Sequence, residues 1–222
     1  MKIRFSELPS KQLCLFLLAS SPELRSTYHT GLDVASNKFN NRGYFNVNNY
    51  IAIDIEDPES EIPTGPKPSV DKFIHADLLE AALPSADLVM CVETVGITAL
   101  FSHSETLRAL ESLINTTNTG GTLVVNVGPL ASVEDRRIFA TSINSNFTHV
   151  RHIRYGRWSK SIHPLLSLIL GTALLLFPSL RVPNKDQEVW HLFFAKGKLA
   201  KPQESLNLLG RSSNPGSQLR KN

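Results

Sequence analysis

The chain has 222 residues, 41% of them hydrophobic, enough to bury one good core, so a single domain with extensions is expected. A net charge of +3 with only 19% charged residues excludes a dedicated nucleic-acid binder, which carries a dense basic face. The two cysteines, Cys14 and Cys91, both sit in apolar runs, which leaves no disulfide framework and no Cys/His metal spacing and points to a reducing, cytoplasmic compartment.

At the N-terminus, "LCLFLLAS" (13–20) follows Lys2, Arg4 and Lys11, a pattern close to a signal peptide. The run is short and Glu7 and Pro9 interrupt what precedes it, so a short helix packed on the domain is expected instead. Residues 1–29 then form a helical lead-in. Gly31–Ala35 reads as the first strand, and "YIAIDIE" (50–56), β-branched and ending on acids, as the second. After a loop punctuated by Pro58, Pro63, Pro66 and Pro68 comes "KFIHAD" (72–77), the third. "DLVMCVET" (87–94) is a continuous apolar run, as in a strand covered by helices on both faces.

"SHSETLRALESLINT" (102–116) spaces Leu107, Leu110 and Leu113 as one face of a helix, with Ser102 or Ser104 as its N-cap. "NTGG" (118–121) is expected to stop that helix, and "TLVVNVGP" (122–129) is the fifth strand. "SVEDRRIFATSI" (132–143) reads as a helix capped by Ser132 with acids in its first turn. "THVRHIRYG" (148–156) and "EVWHLFFAKGK" (188–198) alternate as strands. Strands alternating with helical patterns specify an α/β fold, a mostly parallel sheet with helices on both faces. The domain is expected over 30–198. The tail from Lys198 onward, with five basic residues against the single acid Glu204, is expected to be disordered and solvated.

Between the last two strands lies "SIHPLLSLILGTALLLFPSL" (161–180), without a Lys, Arg, Asp or Glu. A single bilayer crossing would put the two flanking strands on opposite sides, so the insertion is expected to return to the side it left, as a lid, a re-entrant hairpin or an interfacial helix. Arg151, Arg154, Arg157, Trp158 and Lys160 before it, and Arg181 and Lys185 after it, suit peripheral contact of 151–185 with the inner face of a membrane. A buried helix covering the sheet is the alternative.

An acid stands at or near four successive strand ends: Asp33, Asp54, Asp77 and Glu93. In an open parallel sheet, ligands sit beyond those ends. A carboxylate after the second strand can accept both hydroxyls of a ribose, one after the third the exocyclic amine of an adenine, and one at the first loop can hold an ammonium. Together they describe an adenosine with a cationic tail.

The stretches "GLDVASNKF", "YIAIDIE", "FIHADLLEAALPSADLVMCVET" and "GGTLVVNVGP" fall in the order and approximate spacing of the class I S-adenosylmethionine-dependent methyltransferases, particularly the small type 11 kind, which the chain resembles over residues 30 to 129. The resemblance implies a Rossmann-like sandwich with a seven-stranded sheet and a reversed last strand. It implies S-adenosylmethionine as cofactor and transfer of its methyl group to a small-molecule acceptor, a lipid-linked glycan if the site is seated on a membrane. It places Asp33, Ala35 and Asn37 in the first loop near the methionine moiety, Asp54 and Ile55 at the ribose, Asp77 and Leu78 at the adenine, and Cys91, Val92 and Glu93 below the sulfonium. The chain departs from the pattern in two places. The first loop should read acid-x-Gly-x-Gly-x-Gly, where Ala35, Asn37 and Phe39 replace the glycines, and Gly96 and Ile97 stand where type 11 enzymes carry Glu-His.

Methyl transfer from a sulfonium is an in-line displacement that asks mainly for positioning and desolvation; a base is needed only for an acceptor that must lose a proton early. His75, His103 and His163 are available for that, and no spacing singles out any of them. Two other readings stand beside the enzyme. One is a catalytically inactive binding or scaffold protein of the same fold with a decayed cofactor loop. The other is a nicotinamide-dependent oxidoreductase, for which Asp54 is well spaced but Gly-x-Gly-x-x-Gly is absent.

Overall fold

The computed structural model describes residues 9–36, 39, 41–56, 70–92, 101–128, 133–156, 169, 172–173, 176 and 189–200. Seven strands form one sheet: β1 (Tyr28–Val34), β2 (Val47–Asp54), β3 (Lys72–His75), β4 (Ala86–Cys91), β5 (Thr117–Val127), β6 (Phe147–Gly156) and β7 (Val189–Lys198). Their order is β3-β2-β1-β4-β5-β7-β6. β1 pairs in parallel with β2 and β4, β2 with β3, and β4 with β5, whereas β7 runs antiparallel to both β5 and β6. All seven sequence-expected strands are present, and the last is the reversed one.

Strand alternation divides the core into two layers. One face carries Leu32, Val34, Ile53, Val89, Cys91, Val125 and Phe193 and is covered by α2 (His103–Thr116) and α3 (Val133–Asn146) through Leu110, Leu113, Phe139 and Ile143. The other carries Tyr50, Ala52, Leu88, Met90, Val124, Ile153 and Phe194. It is covered by α1 (Pro9–Ser20) through Cys14, Leu17 and Leu18, and beyond α1 by Phe45 from the β1–β2 connection. The N-terminal apolar run is therefore a core helix. Phe45 can lie flat on β1 because residue 31 is glycine; a Cβ there would stand 2.6 Å from the Phe45 ring.

α2 starts as its sequence predicts. The Ser102 hydroxyl accepts the Glu105 N–H, and the Glu105 carboxylate accepts the Ser102 N–H at 2.7 Å, a reciprocal capping box. The other end differs from expectation. "NTGG" does not end the helix in a loop but opens β5, whose Thr117 follows Thr116 directly. Opposite Ala86 and Leu88 of β4 stand Thr117 and Thr122, so the extra residues bulge out. Gly120, at φ 78°, turns the bulge, and Gly121 passes so close to the Asn118 and Asp87 carbonyls that a Cβ would lie 2.8 and 2.9 Å from them. Asp87 fastens this end of the sheet, accepting the Thr30 N–H at 3.0 Å and the Asn118 amide at 2.8 Å.

Lys198, the last residue of the expected strand 188–198, is the last residue of β7, and its side chain is buried where a solvated one was expected. Its ammonium donates to the Ile114 carbonyl and, at 3.1 Å, to the Thr117 carbonyl, a cationic cap on the end of α2. Near the same edge of the sheet, Arg151 of β6 lies over the Phe194 ring and donates from Nε to Glu23 at 2.9 Å. Burial opposes ionisation of Glu23, but the bonds from Arg151 and Ser21 outweigh it and hold the carboxyl below its usual range.

Among the described residues no helix is long and apolar enough to cross a membrane. The apolar segment 161–180 lies outside the described residues apart from Ile169, Thr172, Ala173 and Leu176.

Candidate functional site

Strand order reverses between β1 and β4, whose carboxyl ends stand side by side. A crevice at such a reversal is where open α/β sheets take ligands. The β1 end continues into the first loop, which folds back over β2: the Ser36 N–H donates to the Ile53 carbonyl at 3.1 Å.

The loop keeps the backbone of a glycine loop without the glycines. Ala35 has φ 56° and Phe39 φ 61°, both left-handed, at two of the positions where glycine is expected. A left-handed residue with a side chain costs about 1 kcal/mol or more, and the chain retains two within five residues. Between them Ser36 is buried, and its Oγ has no hydrogen-bond partner among the described residues. The Phe39 ring does not stand over the crevice. It packs edge-on against Phe73 of β3, centroids 6.0 Å apart, within the α1-side layer. Asn37 lies outside the described residues.

Asp33 lies within β1 rather than in the loop, and its carboxylate is fully buried. Oδ2 accepts the Tyr50 hydroxyl at 2.6 Å and Oδ1 accepts the Asn41 amide at 3.1 Å. Arg42 stacks over the Tyr50 ring, 4.7 Å from its centroid, and donates to the Phe45 carbonyl. Burial dominates the acidity of Asp33 and lifts its pKa to about 7; the two hydrogen bonds oppose that shift and the nearby Asp54 charge adds to it. The same burial, with Asp33 beside it, pushes the Tyr50 phenol far up, so Tyr50 is a permanent donor.

Asp54, the last residue of β2, and Asp77, two residues past the end of β3, are both half-buried. Each makes a local turn: Asp54 Oδ1 accepts the Glu56 N–H at 3.0 Å and Asp77 Oδ1 the Leu79 N–H at 2.8 Å. Between β2 and its turn stands Ile55, a large apolar side chain left 64% exposed. His75 Nε2 lies 2.7 Å from the Ile55 carbonyl. Leu78 and Cys91 are packed in the α2–α3 layer, so only their backbones face the strand ends. Val92 is buried on the α1 side, Glu93 lies outside the described residues, as does His163, and the side chain of His103 is not described. Ser36 and Tyr50 are the residues that sequence reasoning passed over. Ser36 sits between two expected glycines, where its unpartnered hydroxyl has no sequence signature, and Tyr50 opens the second strand motif and looks like ordinary core. Among the described residues no cluster of His, Cys, Asp and Glu is arranged to hold a metal ion.

No family model matches the chain, and no curated protein matches it by sequence. Solved structures do match it. The plantazolicin methyltransferase BpumL, in complex with a monoazolic desmethylPZN analog and SAH, is 13% identical, with 85% of each chain covered and a TM-score of 0.50. The N-methyltransferase NodS from Bradyrhizobium japonicum WM9, in complex with S-adenosyl-L-homocysteine, is 14% identical over 84% of each chain, TM-score 0.48. An S-adenosylmethionine-dependent methyltransferase from Clostridium acetobutylicum ATCC 824 is 10% identical over 84% of this chain and 92% of its own, TM-score 0.45. With its strand order, its reversed β7 and helices on both faces, the chain has the Rossmann-like class I methyltransferase fold.

Proposed function

We propose that the protein is an S-adenosylmethionine-dependent methyltransferase. The observation that carries this reading is the first loop, which holds two side-chain-bearing residues in the left-handed conformation that a glycine loop adopts and leaves the Ser36 hydroxyl between them buried and, among the described residues, unpartnered. A polar group in that state costs stability unless something bonds to it, and a polar ligand under the loop is what it lacks. The donor set at the neighbouring strand ends fits the same ligand. Asp54 would hold ribose hydroxyls, the exposed Ile55 would lie against an adenine, and Asp77 would accept its amine.

When bound, the cofactor supplies a methyl group on a sulfonium, a carbon already activated for displacement. This chain's residues have to fix the nucleoside, exclude water and leave one approach open to the acceptor. The acceptor is read as a small molecule at a membrane face, a lipid-linked glycan being the first class to try. The basic and aromatic flanks of 161–180 support this, as do the exposed Ile169 and Leu176 within it.

A second reading, an inactive binding protein of the same fold, is favoured by the first loop, where Ala35, Asn37 and Phe39 stand in place of the expected glycines. Calorimetric titration with S-adenosylmethionine and S-adenosylhomocysteine separates the two, with Asp54→Ala as control. Micromolar binding that the variant loses supports the enzyme. No binding to a folded sample overturns it and leaves the binding-protein reading.

A further inference from the structure

The first-strand acid is expected to face the ligand's ammonium, yet here both of its oxygens are taken by this chain's own neutral donors. Asn41 belongs to the connection that carries the first loop back to β2, at the start of the 3-10 turn Arg42–Tyr44, and Tyr50 belongs to β2 itself. The Asp33 carboxylate therefore ties three parts of the site together: the end of β1, the far end of the loop and the strand that ends on Asp54. Phe45 packs edge-on against Tyr50, centroids 5.0 Å apart, and closes the cluster from the α1 side. Among the described residues, the two groups bonded to the carboxylate are both neutral, while Arg42 lies on the Tyr50 ring and bonds the Phe45 carbonyl.

We propose that Asp33 is a positioning residue, a latch that holds the first loop closed through Asn41 and Tyr50, and that it is not the counter-ion of a ligand's amino group. This deepens the cofactor reading and rests on it. A latch of this kind pre-pays the ordering of the described loop residues it ties down, Asn41 to Phe45, so its loss weakens every ligand that sits under the loop by the same factor. A counter-ion behaves differently, because its loss weakens only ligands that carry the ammonium. The near-neutral titration of Asp33 agrees with a carboxylate that has no cationic partner.

The test is a thermodynamic cycle between protein and ligand. S-adenosylhomocysteine and its analogue with the amino group replaced by hydrogen are titrated into the wild-type protein, Asp33→Asn, Asn41→Ala and the double variant. The expected result is a loss of about 5-fold for both ligands in each single variant, the size of one hydrogen bond. The ratio between the two ligands stays unchanged, and the double variant is no weaker than the worse single one. Asn41→Ala carries the test by itself if Asp33→Asn does not fold. A ratio that falls 10-fold on Asp33→Asn while Asn41→Ala leaves it alone makes Asp33 the counter-ion and overturns the latch. Unchanged affinities in both variants overturn it as well. Failure of both ligands to bind the wild-type protein overturns the cofactor reading itself, and the latch with it.

Discussion

Replacing Asp33 by asparagine should make the protein more stable at pH 8 than the wild type, although the amide keeps only one acceptor oxygen for the two donors, Tyr50 and Asn41, and so gives up one hydrogen bond. The carboxyl has the ordinary aspartate value of 3.8 in the unfolded chain and about 7 in the folded one, because burial disfavours the charged form more than Tyr50 and Asn41 favour it. A folded-state pKa above the unfolded one means that the native protein holds the proton longer. The contribution is therefore fully present below about pH 4 and is lost as pH rises through 7. Roughly three units at about 1.4 kcal/mol each set an upper bound of about 4 kcal/mol on the loss. Asparagine cannot ionise, so the variant escapes it. Urea unfolding of both proteins at pH 5, 6, 7 and 8 gives the difference directly, since every other titrating group cancels between them. Relative to the variant, the wild type should lose about 2–3 kcal/mol between pH 5 and pH 8. Parallel pH profiles, or a wild type that gains on the variant as pH rises, would refute the reasoning.

Three further expectations rest on independent features. Ala35→Gly relieves a left-handed residue at φ 56° and should raise stability by about 1 kcal/mol, read as an upward shift of the thermal midpoint. Lys198→Met keeps the stem but removes the ammonium from the Ile114 and Thr117 carbonyls; chemical denaturation should show a loss of about 1–3 kcal/mol, and no loss would mean that water replaces the cap. Ser102→Ala removes one half of the α2 capping box and should cost about 1 kcal/mol, with amide exchange accelerating first at Glu105, whose N–H loses its acceptor.

The positions of all seven strands, the two helices after β4, the N-cap at Ser102 and the core helix at the N-terminus were legible in the chain because each rests on local pattern. Apolar runs, leucine spacing and turn residues act over a few neighbours, and the order in which they come restricts the sheet to one topology. What failed were judgements that depended on distant partners. Gly120 and Gly121 look like a helix stop, but Asp87 and Asn118, brought alongside by β4, turn them into a bulge inside β5. Lys198 is the expected last residue of its strand, but its side chain looks solvated in the sequence, whereas the end of α2 offers its ammonium two buried carbonyls.

The site divides in the same way. Acids at successive strand ends and the positions of the missing glycines are sequence facts, and they point to an adenosine ligand before any fold is known. Whether those acids face a ligand is a matter of which way each strand turns its side chains and what lies opposite. Asp54 ends its strand and Asp77 lies two residues beyond the end of β3, and both stay half-exposed, whereas Asp33, one residue short of its strand's end, turns into the α1-side layer and meets Tyr50 and Asn41. The Phe39 ring, likewise, is placed by Phe73 on a strand more than thirty residues later. The sequence by itself determined the elements and the kind of ligand. Only the tertiary structure decided which carboxylates are open to it, because burial and hydrogen bonding set by non-local packing, not residue identity, fix where a charge can face.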